Sequence, residues 1–120
     1  MPVTGIGGLF FRAQNPEALQ AWYREHLGVG AAMTGNDWFW QQSAGPTVFS
    51  PFKADTDYFS REKQWMLNLR VTALDDLLAK LRSAGIEVTT KKEWDSPETG
   101  RFARIHDPEG NAVELWQPPE

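Results

Sequence analysis

One acidic side chain sits in this sequence where chemistry could occur. Glu114 lies in the run Asn111-Ala112-Val113-Glu114-Leu115-Trp116. Strand alternation there puts Val113 and Leu115 on one face and Ala112, Glu114 and Trp116 on the other. A carboxylate among apolar neighbours in a half-buried strand needs a partner, and it can serve as a hydrogen-bond acceptor or a general base. The two histidines offer less. His26 falls in the last turn of a predicted helix, where a cation suits the helix dipole, and His106 adjoins a turn, where a hydrogen-bonding or solvated role fits. There is no cysteine, which removes disulfides, thiolate metal sites and cysteine nucleophiles.

The elements that must position Glu114 are readable around it. Asp107-Pro108-Glu109-Gly110 fits a tight turn: the Asp side chain bonds the following backbone, Pro presets φ, and Gly accepts positive φ. Strands are expected at residues 101–106 and 111–117 on either side. Upstream, residues 65–71 read as a strand, and Thr72 with Asp75 resembles a capping box. Leu74, Leu77, Leu78 and Leu81 then form one helix face that ends at Gly85, before a strand at 86–92.

The first half repeats this order. Residues 6–13 are a β-rich run, Asn15 is a good N-cap and Pro16 a good first helical residue. Leu19, Trp22, Tyr23 and Leu27 recur at helical spacing up to Gly28, a helix stop. Short strands are expected at 29–33, 37–42 and 47–52. The fold class is therefore α+β: two tandem βαβββ modules, 1–52 and 65–120, in a single domain, joined by a polar linker at 53–64. Together they would form a curved mixed sheet, a cup with the helices outside.

Composition narrows the partners. The 120 residues carry a net charge of −4, which argues against nucleic acid, since phosphate binding wants clustered Lys and Arg. No apolar run reaches membrane-spanning length, and the N-terminal residues lack a signal-peptide layout; a soluble cytoplasmic protein with no membrane partner is expected. Six tryptophans exceed what a small core needs and suggest either core filling, an apolar-lined cavity or a protein interface.

These features together resemble the vicinal oxygen chelate superfamily of glyoxalases, bleomycin-resistance proteins and extradiol dioxygenases. The carrying residues are Asn15-Pro16-Glu17-Ala18-Leu19 with Trp22-Tyr23 and Leu27-Gly28, then Arg70-Val71 and Leu81-Arg82-Ser83-Ala84-Gly85-Ile86-Glu87-Val88. Asp107-Pro108-Glu109-Gly110-Asn111 with Glu114-Leu115-Trp116-Gln117-Pro118 is the strongest piece. The resemblance implies the cup fold across nearly the whole chain, commonly as a homodimer, sometimes with halves exchanged. It also implies a divalent metal held by His or Gln on the first and fifth strands and Glu on the eighth. Glu114 matches the last ligand. The other positions fall at about Gly8, Met66 and, for a fourth ligand, Phe49, and none of these suits a hard divalent ion. No cofactor is expected, with a divalent metal through Glu114 as the alternative.

Strand parity from those positions places Met66, Asn68, Arg70, Phe10, Arg12 and Trp116 on the cup side. Phe102, Arg104 and His106 follow from the seventh strand, and Trp38 and Trp40 from the third. Phe10, Arg12, Trp38, Trp40, Met66, Asn68, Arg70, Arg104 and Trp116 are the candidate ligand-binding residues, and Glu114 is the candidate catalytic one. Arg70 or Arg12 either pairs with Glu114 or stays free to clamp an anionic or carbonyl oxygen. Three functions fit: a metal-independent small-molecule binding protein, a glyoxalase-like lyase, isomerase or dioxygenase using Glu114, and an interaction module without ligand.

Overall fold

The computed structural model describes residues 2–30 and 39–120. The helix α1 spans Pro16–Leu27, and the expected signals bound it. Asn15 Oδ1 accepts from the Ala18 N–H at 3.1 Å, satisfying a donor that the first helical turn leaves free. Gly28 takes φ 70°, which lets the Val29 N–H reach back to the Tyr23 carbonyl at 3.2 Å.

Strand β1 (Leu67–Arg70) leads to helix α2 (Leu74–Ser83). The expected Thr72–Asp75 capping box does not form. Ala73 occupies the N-cap at φ 50° with no side-chain cap, and the Leu74 N–H is met by Gln117 Oε1 at 2.8 Å. The Asp75 carboxylate is instead engaged by Arg101 at 2.8 Å, an exposed pair that lowers the carboxyl pKa mainly through the guanidinium hydrogen bond.

Strands β2 (Arg101–His106) and β3 (Ala112–Gln117) form an antiparallel hairpin, and β1 joins β3 in parallel, giving the order β1-β3-β2. One face of this sheet carries Leu67, Leu69, Val113, Leu115, Ala103 and Ile105. It packs with Leu19 and Tyr23 of α1 and Leu74, Leu78 and Leu81 of α2. Burying each of these leucines removes apolar area worth about 2 kcal/mol, so this layer carries the fold.

Among the described residues the sheet is the three-stranded β1-β3-β2 and no second sheet is formed. The expected strand at 86–92 reduces to a bridge between Thr89 and Arg104 before a 3₁₀ turn at Lys92–Trp94. Residues 2–13 and 39–52 form no ladder among the described residues, because a strand needs a neighbour to pair its backbone groups. The rest of the expected strands at 29–33 and 37–42 lies outside the described residues. No helix among the described residues is long and apolar enough to cross a membrane.

Candidate functional site

The outer face of the sheet orders its side chains in rows. The register sets Asn68 of β1 and Arg104 of β2 on either side of Glu114 in β3. The next row sets Arg70 and Phe102 on either side of Trp116. Directly opposed residues of neighbouring strands share a face and touch, so a polar row lies beside a largely aromatic one. Phe102 and Trp116 stack at 6.3 Å with rings 10° apart, and the Trp116 Nε1–H donates to the Thr99 carbonyl at 2.8 Å.

Glu114 is only 8% exposed, and both of its oxygens accept hydrogen bonds. Asn68 Nδ2 donates to Oε1 at 2.7 Å, and the Tyr58 hydroxyl donates to Oε2 at 2.5 Å. Neither Arg70 nor Arg12 pairs with it. Arg70 donates to the carbonyls of Pro46 (2.7 Å) and Ser43 (2.9 Å). Gly45 permits that approach, since a Cβ there would lie 2.6 Å from the Arg70 Nη1.

Arg104 sits over the Tyr58 ring at 4.8 Å and 5.9 Å from that of Trp94, a cation–π arrangement. Its Nη2 donates to the Tyr58 carbonyl at 2.9 Å, while its buried Nε finds no acceptor among the described residues. The Tyr58 hydroxyl is pushed up to about 12, chiefly by burial and then by its hydrogen bond to Glu114; Arg104 opposes the rise. The phenol therefore stays a proton donor at neutral pH.

Tyr58 is the residue that sequence patterning missed. It belongs to the polar linker at 53–64, with no periodicity to mark it, and only its aromatic ring among charged neighbours hinted at burial. Of the other expected site residues, Met66 is half-buried just before β1, and His106 is exposed. Phe10 is 90% exposed and Trp40 41% exposed, so the described structure does not gather them around Glu114. Arg12 is exposed and lines a separate cleft of about 700 Å³ with Asn15, Trp22, Lys63 and Glu109. Trp38 lies outside the described residues.

The turn beneath the site is tightly tied. Asp107 Oδ1 accepts from the N–H groups of Glu109 (2.9 Å) and Asn111 (3.0 Å). Its Oδ2 accepts from Asn111 Nδ2 (2.8 Å) and the Tyr23 hydroxyl (2.7 Å), whose pKa rises through burial and this bond. Glu109 reaches back to the N–H groups of Gln14 (2.6 Å) and Asn15 (3.0 Å), fastening α1 to the hairpin that carries Glu114.

As placed, the Glu114 carboxylate is engaged by a phenol O–H and an amide N–H. Among the described residues, no three His, Cys, Asp or Glu are grouped to hold an ion.

Residues 8–116 match the glyoxalase-like domain family. The chain belongs to that family. TnmS3, an antibiotic binding protein from Streptomyces sp. CB03234, has a solved structure at 24% identity. It covers 98% of each chain with a TM-score of 0.57, a likeness of fold. A glyoxalase/bleomycin resistance protein from Streptomyces sp. CB03234 is 35% identical over 42% of each chain, with a TM-score of 0.33. No curated protein is similar enough to this chain to count as a match.

Proposed function

We propose that this glyoxalase-like protein binds a small organic molecule, without a metal, on the outer face of its sheet. One observation carries the proposal: the row Asn68–Glu114–Arg104 lies directly beside the row Arg70–Trp116–Phe102. Such pairing suits a ligand with an apolar body and a few polar groups. Glu114 serves as acceptor, Arg104 as donor, and Trp116 with Phe102 as the stacking wall. TnmS3, which shares the fold, is an antibiotic binding protein.

In this proposal the first module completes the cup as a second βαβββ unit, bringing Phe10, Arg12, Trp38 and Trp40 toward the ligand. The described first half exposes Val3, Ile6, Phe10, Val48 and Phe49 by 61–90%, more apolar surface than a lone chain keeps in water. We therefore take the working form to be a homodimer.

Titration of bleomycin and a panel of aromatic antibiotics against intrinsic tryptophan emission tests the binding role. At least one compound should quench the emission, and Glu114→Gln should weaken that compound about tenfold, the scale of a hydrogen bond to a charged group. Silence across the panel would count against the proposal.

A further inference from the structure

Tyr58 occupies the polar row as a ligand would. Its hydroxyl gives Glu114 a proton donor at 2.5 Å, and its ring offers Arg104 a π face at 4.8 Å. Trp94 meets the ring edge-on at 6.1 Å, and Phe52 lies tilted against it at 5.7 Å. The phenol is thus met by groups that recognise phenols: an anionic acceptor, a cation over the ring, and aromatic neighbours.

The segment that delivers Tyr58 is lightly held. Its own hydrogen bonds are local, such as Thr56 N–H to the Lys53 carbonyl and Lys63 N–H to the Ser60 carbonyl. Among the described residues, both hydrogen bonds that tie residues 53–63 to the sheet run through Tyr58: its hydroxyl to Glu114 and its carbonyl from Arg104. A segment with few buried contacts opens at low cost. Among the described residues, the buried Arg104 Nε meanwhile has no acceptor, so it is a donor that an incoming ligand could satisfy.

We propose that Tyr58 is a built-in plug, and that the site takes a phenolic ligand which displaces it, giving its own hydroxyl to Glu114 and its ring to Arg104. This rests on the binding role proposed above and names the ligand chemistry of that site. A ligand must compete with a tethered phenol at high effective concentration, so affinity in the wild type is lowered by the fraction of chains that are plugged.

The test uses the full chain and p-cresol, the tyrosine side chain as a free molecule, with toluene as the control lacking a hydroxyl. Tyr58→Ala should bind p-cresol at least tenfold more tightly than the wild type, and toluene at least tenfold more weakly than p-cresol. Tyr58→Phe, which keeps the ring and loses only the hydroxyl, should fall between the two and serves if the alanine variant does not fold. Hydrogen exchange supplies an independent readout: saturating p-cresol should speed exchange across residues 53–63 of the wild type. Equal p-cresol affinity in wild type and both variants, or slower exchange in that segment, would overturn the plug. Equal affinity of Tyr58→Ala for p-cresol and toluene would overturn the phenolic class. A panel compound lost in Glu114→Gln yet bound equally by Tyr58→Ala would remove the plug and leave the binding role standing.

Discussion

Asp107 accepts four hydrogen bonds from two backbone and two side-chain donors while only 5% exposed. Removing it strands the buried Tyr23 hydroxyl and opens the turn that aims β3. Asp107→Ala should therefore cost about 3 kcal/mol in denaturant unfolding, and a loss below about 1 kcal/mol would contradict the account. Residue-scale signals of this local kind were legible. Asp107, Pro108 and Gly110 announce a turn because the Asp side chain, the fixed φ of Pro and the positive φ of Gly110 all act within a few residues. Glu114 was legible as a buried acid from alternation alone. Its partners were not. Tyr58 reaches it across 56 positions of chain, and Arg70 binds the main-chain carbonyls of Ser43 and Pro46, which no side-chain pattern marks.

At the scale of elements, both helices and the β2–β3 hairpin follow from periodicity and caps, since each signal and its effect lie within one turn of helix or one hairpin. The start of α2 departs from that rule. Its Thr72–Asp75 motif yields to Gln117, 43 positions away, because Arg101 already engages the Asp75 carboxylate. Ala73 is left at φ 50°, a conformation that is costly with a Cβ. Ala73→Gly should raise stability by about 0.5–1 kcal/mol, relief of strain exceeding the added freedom of the unfolded chain. A lowered melting temperature would show that the left-handed conformation is not adopted. The strands of the first half illustrate the opposite limit. Alternation predicts an extended segment, but a ladder also needs a paired strand, and residues 2–13 and 39–52 form no ladder among the described residues.

At the scale of the whole molecule, the apolar side chains are divided unevenly. The second half buries its leucines between sheet and helices, while Phe10, Phe39, Trp40, Val48 and Phe49 of the first half stay exposed. Pairing with a second copy would cover them, so light scattering at micromolar concentration should give about twice the 13.6 kDa of one chain; a monomer would contradict the dimer. Light scattering bears only on how the cup is completed. The binding role itself is tested most directly by titrating bleomycin and aromatic antibiotics against tryptophan emission in the wild type and Glu114→Gln. The account predicts saturable quenching by at least one compound and about tenfold weaker binding in the variant. Quenching of equal affinity in both proteins, or none in either, would contradict it.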